Sequence, residues 1–493
     1  MNIADPFLFQ AKLNPAALAI CTPGAARERV SYGRLERMVN NVGKAALARG
    51  LARGQVVAID IKDKIFHAAV ILGLARIGIV TVSARNPTLP KELGVSAVIC
   101  DAALPYRNAG TVMVADQSAW ALDGDGAPLA DERLYRVSED DPCRITLTSG
   151  TTGEAKGVAF SHKAVAAKNA RLAFARGNRF PQCSRFYCDL GLATDPGFRD
   201  MLHMLSKGGT IFYYGGDAES LIQAIDLYKI EAMIAAPSGL AEYLKFFEAY
   251  SDVACGFDHI LTSGASLSRS LSERVRARMC ANLYSTYGST ETGGVAVAPA
   301  HAIADVPGAV GFVTPGATVE IVDEGGKALP AGREGSVRIR TAQTVTGYVG
   351  NPAEAETAFR DGWFYPGDIG ALRDDRLLLI LGREKEVLNL SGDKIRPGLV
   401  EDVLTAFPAV GEAAAFTQTD GLGIARLWAA VVPRSAIDQE ALRRHCQERL
   451  GAAFAPVEFV VLDALPRGQG GKLDRQRLTA LASAKQPRRG ENS

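Results

Sequence analysis

No C-x-x-C pair, no H-E-x-x-H, no G-x-S-x-G and no apolar run of membrane-spanning length occurs in this sequence. The first two absences argue against a structural zinc site or a zinc hydrolase, since both need ligands at short fixed spacings. The third argues against a serine hydrolase built on a nucleophile elbow. Eight cysteines are scattered along the chain, and only Cys183 and Cys188 lie close together. A disulfide framework is therefore not expected, and reduced thiols in a cytoplasm are the simplest reading. The most apolar stretch, Ala68 to Val82, is interrupted by Arg76 and is too short to cross a bilayer. Met1 to Gln10 carries Asp5 where a signal peptide needs apolar residues. Net charge is nearly missing too: 55 Lys+Arg stand against 54 Asp+Glu. That balance offers no electrostatic case for nucleic acid or an anionic membrane as partner.

What is present is enough chain for more than one domain, 493 residues. Helix-type and strand-type patterns alternate through the first part, which predicts α/β layers. Ser31 to Arg49 reads as an amphipathic helix with Ser31 as N-cap, Val56 to Ile61 as a buried strand, Phe66 to Ile77 as a helix and Ile79 to Val82 as a strand. From about Gly316, short β-type runs between Gly and Pro turns predict a small β subdomain. After Gly382-Arg383 the chain restarts as a compact α+β unit, with helices over Pro397 to Phe407 and Asp438 to Leu450 and a strand over Leu427 to Val432. The expected division is a body over residues 1–383 and a small mobile domain over 384–493, with a polar, disordered tail.

Five segments carry chemistry. In Leu147 to Val158, three glycines, four hydroxyl side chains and Lys156 fall between two apolar runs. Glycines let backbone N–H groups turn toward an anion, and lysine supplies a cation for polyphosphate. The spacing is not that of the G-x-x-x-x-G-K-[ST] loop. Tyr284 to Gly294 offers aromatic rings for a base and Glu291 for Mg²⁺. Gly362 to Asp368 places an aspartate on a sharp turn, suited to the hydroxyls of a ribose. Gly382 to Gly392 stands where the chain restarts, and Pro466 to Arg475 is a glycine-rich loop that can deliver Lys472 to a site and withdraw it. Each alone has a plain structural reading, as a hairpin, a capped turn or a solvated charge.

In this order and spacing the five segments resemble the adenylate-forming superfamily, which includes acyl- and aryl-CoA synthetases, peptide-synthetase adenylation domains and luciferases. The resemblance covers nearly the whole chain. It implies a phosphate loop at Thr148, Ser149, Gly150, Thr151, Thr152, Gly153 and Lys156, with Ala155 where the family usually has proline. It implies an adenine-lining segment at Gly264, Ala265 and Ser266 with Tyr287 packed on the base. Thr290 matches a phosphate contact, Glu291 a magnesium ligand, Asp368 and Arg383 a ribose-binding pair, Lys385 a hinge and Lys472 a lysine shared by carboxylate and α-phosphate. The implied reaction uses ATP and Mg²⁺ to convert a carboxylic acid to acyl-AMP, then passes the acyl group to coenzyme A. The alternative acceptor is the phosphopantetheine of an acyl carrier protein, and no carrier domain is attached. Two positions bear on the acid. Thr194 stands where many CoA ligases have histidine, and Asp195 matches the aspartate that holds the substrate amine in the amino-acid-activating branch. A buried carboxylate needs a cation, and Arg199, four residues on, is the alternative partner if the segment is helical with Asp195 as N-cap.

Overall fold

The computed structural model describes residues 1–25, 28–84, 86–114, 120, 127, 137–149, 155–177, 183–213, 218–249, 255–386, 388–390, 393–419, 424–467 and 473–484. The alternation seen in the sequence becomes two α/β layers. One sheet sets Val56–Asp60 between the parallel strands Val80–Ser83 and Val95–Cys100. It extends through the parallel strand Pro142–Ser149 to its antiparallel partner Ala155–Ser161. The second, larger sheet has a parallel half made of Leu18–Cys21, Thr210–Tyr213, Arg185–Cys188, Ala232–Ala235, His259–Thr262 and Leu283–Ser289. All of these strands but Leu283–Ser289 are buried almost throughout, as parallel strands covered by helices on both faces must be.

At Leu283–Ser289 the chain turns back through Gly293–Pro299, and the sheet becomes antiparallel. The β-rich stretch therefore continues this sheet, through Ala309–Val313 and Leu377–Arg383 to Asp368–Leu372. Beyond it lie a small hairpin, Leu388–Leu390 with Asp393–Ile395, and a three-stranded sheet of Val410–Thr419, Ala425–Pro433 and Glu458–Val461.

Local signals explain the boundaries. Ser31 caps the helix Tyr32–Ala48 by accepting from the Arg34 N–H, and Asp63 caps Lys64–Arg76. Asp438 caps Gln439–Leu450, whose Leu442 and Cys446 are fully buried on one face. All eight cysteines are free thiols. Among the described residues no helix is long and apolar enough to cross a membrane.

Candidate active site

The ends of these elements meet at a cleft of about 3540 Å³. The phosphate-loop segment is a hairpin: Thr148 pairs with Lys156 and Ser149 with Ala155. Ala155 opens the returning strand, and Gly150, Thr151, Thr152 and Gly153 lie outside the described residues. Lys156 forms an ion pair with Glu354, and its Nζ sits 5.0 Å above the Tyr348 ring. Glu354 belongs to the helix Pro352–Ala358, capped by Asn351.

Tyr287, Asp368 and Arg383 are tied together by side-chain contacts within one sheet. Asp368 and Arg383 are direct cross-strand partners, and Arg383 Nε lies 2.8 Å from Asp368 Oδ1. Arg383 also donates to the Pro366 carbonyl at 2.6 Å. Tyr287 donates its hydroxyl to Asp368 Oδ2 at 2.5 Å. Burial and then the Asp368 charge hold the Tyr287 phenol well above its usual range, so it keeps the proton that it donates to Asp368. A register shift after Tyr287 brings Gly288 so close to the Gly293 carbonyl that a Cβ would fall 2.2 Å from it. Glycine there permits the tight return that presents Thr290 and Glu291. Gly264, Ala265 and Ser266 are exposed to the cleft, Gly264 with φ +93°.

Glu291 is buried, and one oxygen accepts from Tyr348 Oη at 2.9 Å. Among the described residues no group of three or more His, Cys, Asp or Glu converges as a metal cage. The buried Glu291 carboxylate is the kind of single protein donor that fits Mg²⁺, which keeps waters and phosphate oxygens and takes only one or two carboxylates from a protein. Lys385 lies in the one-turn helix Glu384–Glu386, whose Glu384 N–H donates to the Gly367 carbonyl at 3.0 Å. Lys472 lies outside the described residues. The base of its loop is closed by pairing of Arg467 with Leu473, and both residues line the cleft.

The helix Asp195–Ser206 corrects one expectation. Its N-cap is Thr194, not Asp195: Thr194 Oγ1 accepts from Gly197 N–H at 3.0 Å and donates to the Gly191 carbonyl at 3.0 Å. Pro196 fixes the first turn, so Asp195 is already helical and its side chain points into the cleft. There Arg199 Nε lies 2.8 Å from Oδ2, as i,i+4 spacing allows, and Lys168 Nζ lies 3.1 Å from Oδ1. Both carboxylate oxygens thus face protein cations.

Sequence reading missed Lys168. Val165 and Lys168 are both buried on the helix His162–Gly177, three residues apart, so a lysine interrupts the buried stripe. That interruption was the available signal. Lys168 also donates to the Thr290 carbonyl at 2.9 Å, and its Nζ sits 3.9 Å from the Phe160 ring centre. Burial pushes its pKa down to about 8 despite the Asp195 carboxylate, with the Arg199 charge adding to the fall.

A family model described as AMP-binding enzyme matches residues 7–349, and one for the AMP-binding enzyme C-terminal domain matches 399–472. The chain belongs to the AMP-binding enzyme family. Among similar members, the 3-hydroxybenzoate–CoA ligase of Aromatoleum sp. (strain CIB) is 27% identical over 98% of this chain and 97% of its own. The fatty acid–[acyl-carrier-protein] ligase ScoC of Streptomyces coeruleorubidus is also 27% identical, over 95% and 94%. The o-succinylbenzoate CoA synthetase MenE of Bacillus subtilis, solved with its acyl-adenylate, superposes with a TM-score of 0.81 at 21% identity, covering 99% of both chains. The large α/β body and small C-terminal part of this chain match the fold of that synthetase.

Proposed function

We propose that this chain is an AMP-forming acid–thiol ligase that adenylates a carboxylic acid with ATP and transfers the acyl group to coenzyme A. The observation that carries this reading is the convergence on one cleft of a phosphate hairpin, the Tyr287–Asp368–Arg383 group, Glu291 and the base of the Lys472 loop. A carboxylate is anionic and resonance-stabilised, so no thiol attacks it directly. In the first step a carboxylate oxygen bonds to the α-phosphorus, the bond to the β-phosphate oxygen breaks, and pyrophosphate leaves. In the second, the thiol sulfur bonds to the acyl carbon, its proton is released and AMP departs with the bonding electrons.

Each residue has a part in this scheme. Lys156 and the Thr148–Gly153 loop hold the β- and γ-phosphates once Lys156 exchanges Glu354 for phosphate oxygens. Tyr287 packs along adenine, and Asp368, oriented by Arg383, accepts ribose hydroxyls. Glu291 would hold Mg²⁺, which when bound supplies charge neutralisation at the phosphates. Thr290 donates to the α-phosphate, and Lys472 offsets the repulsion between two anions as they meet. Coenzyme A is the favoured acceptor because relatives aligned over nearly the full chain are named CoA ligases. ATP–pyrophosphate exchange across a panel of acids, followed by thiol consumption with coenzyme A or a carrier protein, tests both steps. Acid-independent exchange, or none with any acid, would refute the reading.

A further inference from the structure

Three cations line the acid-facing part of the cleft, and one of them, Arg171, has no carboxylate partner among the described residues. Lys168 and Arg171 lie nearly one turn apart on the helix His162–Gly177, and Arg199 comes from the neighbouring helix Asp195–Ser206. All three line the cleft. Asp195 stands between Lys168 and Arg199. Arg171 directs its donors at neutral oxygens, Thr314 Oγ1 at 2.8 Å and Gln343 Oε1 at 3.4 Å. Among the described residues no carboxylate comes within ion-pair distance of it. Arg199 Nε is close to Asp195, but its N–H aims a hydrogen bond at no described atom.

Other carboxylates on the cleft are engaged elsewhere. Glu291 takes the Tyr348 hydroxyl. Asp189 accepts from Tyr243 at 2.7 Å, and burial pushes its carboxyl toward the neutral form. Asp200 follows Arg199 by one residue, about 100° further round the helix, and its charge bears on the buried Tyr213. Guanidinium groups are costly to hold away from water without an anion. Burial, and then the neighbouring Arg199 charge, lower the Arg171 pKa. A cleft meant only for an apolar tail would gain nothing from this arrangement.

We infer that the acid this chain activates carries a second carboxylate, received between Arg171 and Arg199. The inference rests on the ligase reading above and names its substrate class. The first carboxylate goes to the phosphate end, which Lys168 marks through its bond to the Thr290 carbonyl. Arg171 lies about 4.5 Å further along the helix axis, leaving room for a spacer between the two carboxylates. A planar guanidinium matches a carboxylate with paired donors. The neighbouring Arg171 and Arg199 guanidiniums repel an ammonium placed between them, so an amino acid is a poor occupant despite Asp195.

Pyrophosphate exchange with a series of α,ω-dicarboxylic acids, each set against the monocarboxylic acid of equal chain length, tests the inference, together with benzoate against the benzenedicarboxylic acids. At least one dicarboxylate should exceed its partner in kcat/KM by on the order of 10²-fold. Arg171→Gln and Arg199→Gln should each remove most of that ratio, and Arg171→Lys should remove less. Reading a ratio cancels any general loss of folded enzyme. A preference for monocarboxylates or amino acids, with exchange intact, overturns the inference and leaves the ligase standing. An unchanged ratio in both glutamine variants overturns the assignment to these arginines. Exchange with no acid in either series refutes the ligase reading and the inference together.

Discussion

Burial and ion pairing pull Lys168 in opposite directions, and burial prevails: the pKa falls from 10.5 to about 8. Native Lys168 therefore sheds its proton at a lower pH than the unfolded chain does. Between pH of about 8 and about 10.5 the unfolded state binds more protons, so stability gained from this residue rises with pH, by at most about 1.4 kcal/mol per pH unit. Below that window the cost of the buried ammonium is constant. Melting temperatures of wild type and Lys168→Met, compared across this range, should diverge in favour of wild type as pH rises. A flat or falling difference would refute the titration. Lys472 gives a second prediction at this scale. In the proposed scheme it serves only the first step, so Lys472→Ala should slow acyl-AMP formation by on the order of 10²–10³-fold. Conversion of supplied acyl-AMP to thioester should survive. Equal loss of both half-reactions in rapid-quench assays would sink the role.

The one-turn helix Glu384–Glu386 connects the body to the C-terminal part and contains Lys385. Proline fixes φ near about −65°, within the range of a 3₁₀ turn. Lys385→Pro thus suits the orientation of this structure, in which the base of the Lys472 loop opens on the cleft, and in the proposed hinge role blocks any orientation that needs a different φ here. Pyrophosphate exchange should persist while thioester formation is lost. A variant that completes the overall reaction at the wild-type rate would remove Lys385 as hinge. Elements like this differ in how far sequence exposes them. Helices such as Tyr32–Ala48 and Gln439–Leu450 were legible because periodicity and caps are local. The hairpin around the phosphate loop was legible for the same reason, as apolar runs flank a glycine cluster. The Asp195–Arg199 pair was legible through i,i+4 spacing, but the cap was displaced by one residue. Thr194 has the β-type backbone and the short hydroxyl that reaches Gly197, which a helical Asp195 cannot supply. Lys168 and Asp195 are 27 residues apart on two helices, and nothing local announces their meeting. Lys156 with Glu354, and Tyr348 with Glu291, are likewise products of tertiary packing.

Across the whole molecule, the apolar cores divide where the chain restarts. Clusters of the body end at Leu379 and Ile380, and those of the C-terminal part begin at Leu388. Among the described residues no apolar cluster spans the two. Contacts that join them are polar, such as Arg396 with Glu334 at 2.6 Å and Arg434 with Ser270 at 2.8 Å. Exposed pairs of this kind contribute roughly 0–1 kcal/mol each, which suits the domain rearrangement that the proposed two-step scheme calls for. A division at residue 383 therefore leaves each part its own core. A fragment of residues 1–383 should melt cooperatively and gain stability with ATP and Mg²⁺, because Lys156, Tyr287, Glu291, Asp368 and Arg383 all remain. Lacking Lys472, it should catalyse exchange at no more than about 10⁻² of the full-length rate. Calorimetry and exchange assays on the fragment read these properties separately. An aggregated or non-cooperative fragment would show that the body depends on the C-terminal part for folding, and unimpaired exchange would place the adenylation machinery wholly within it.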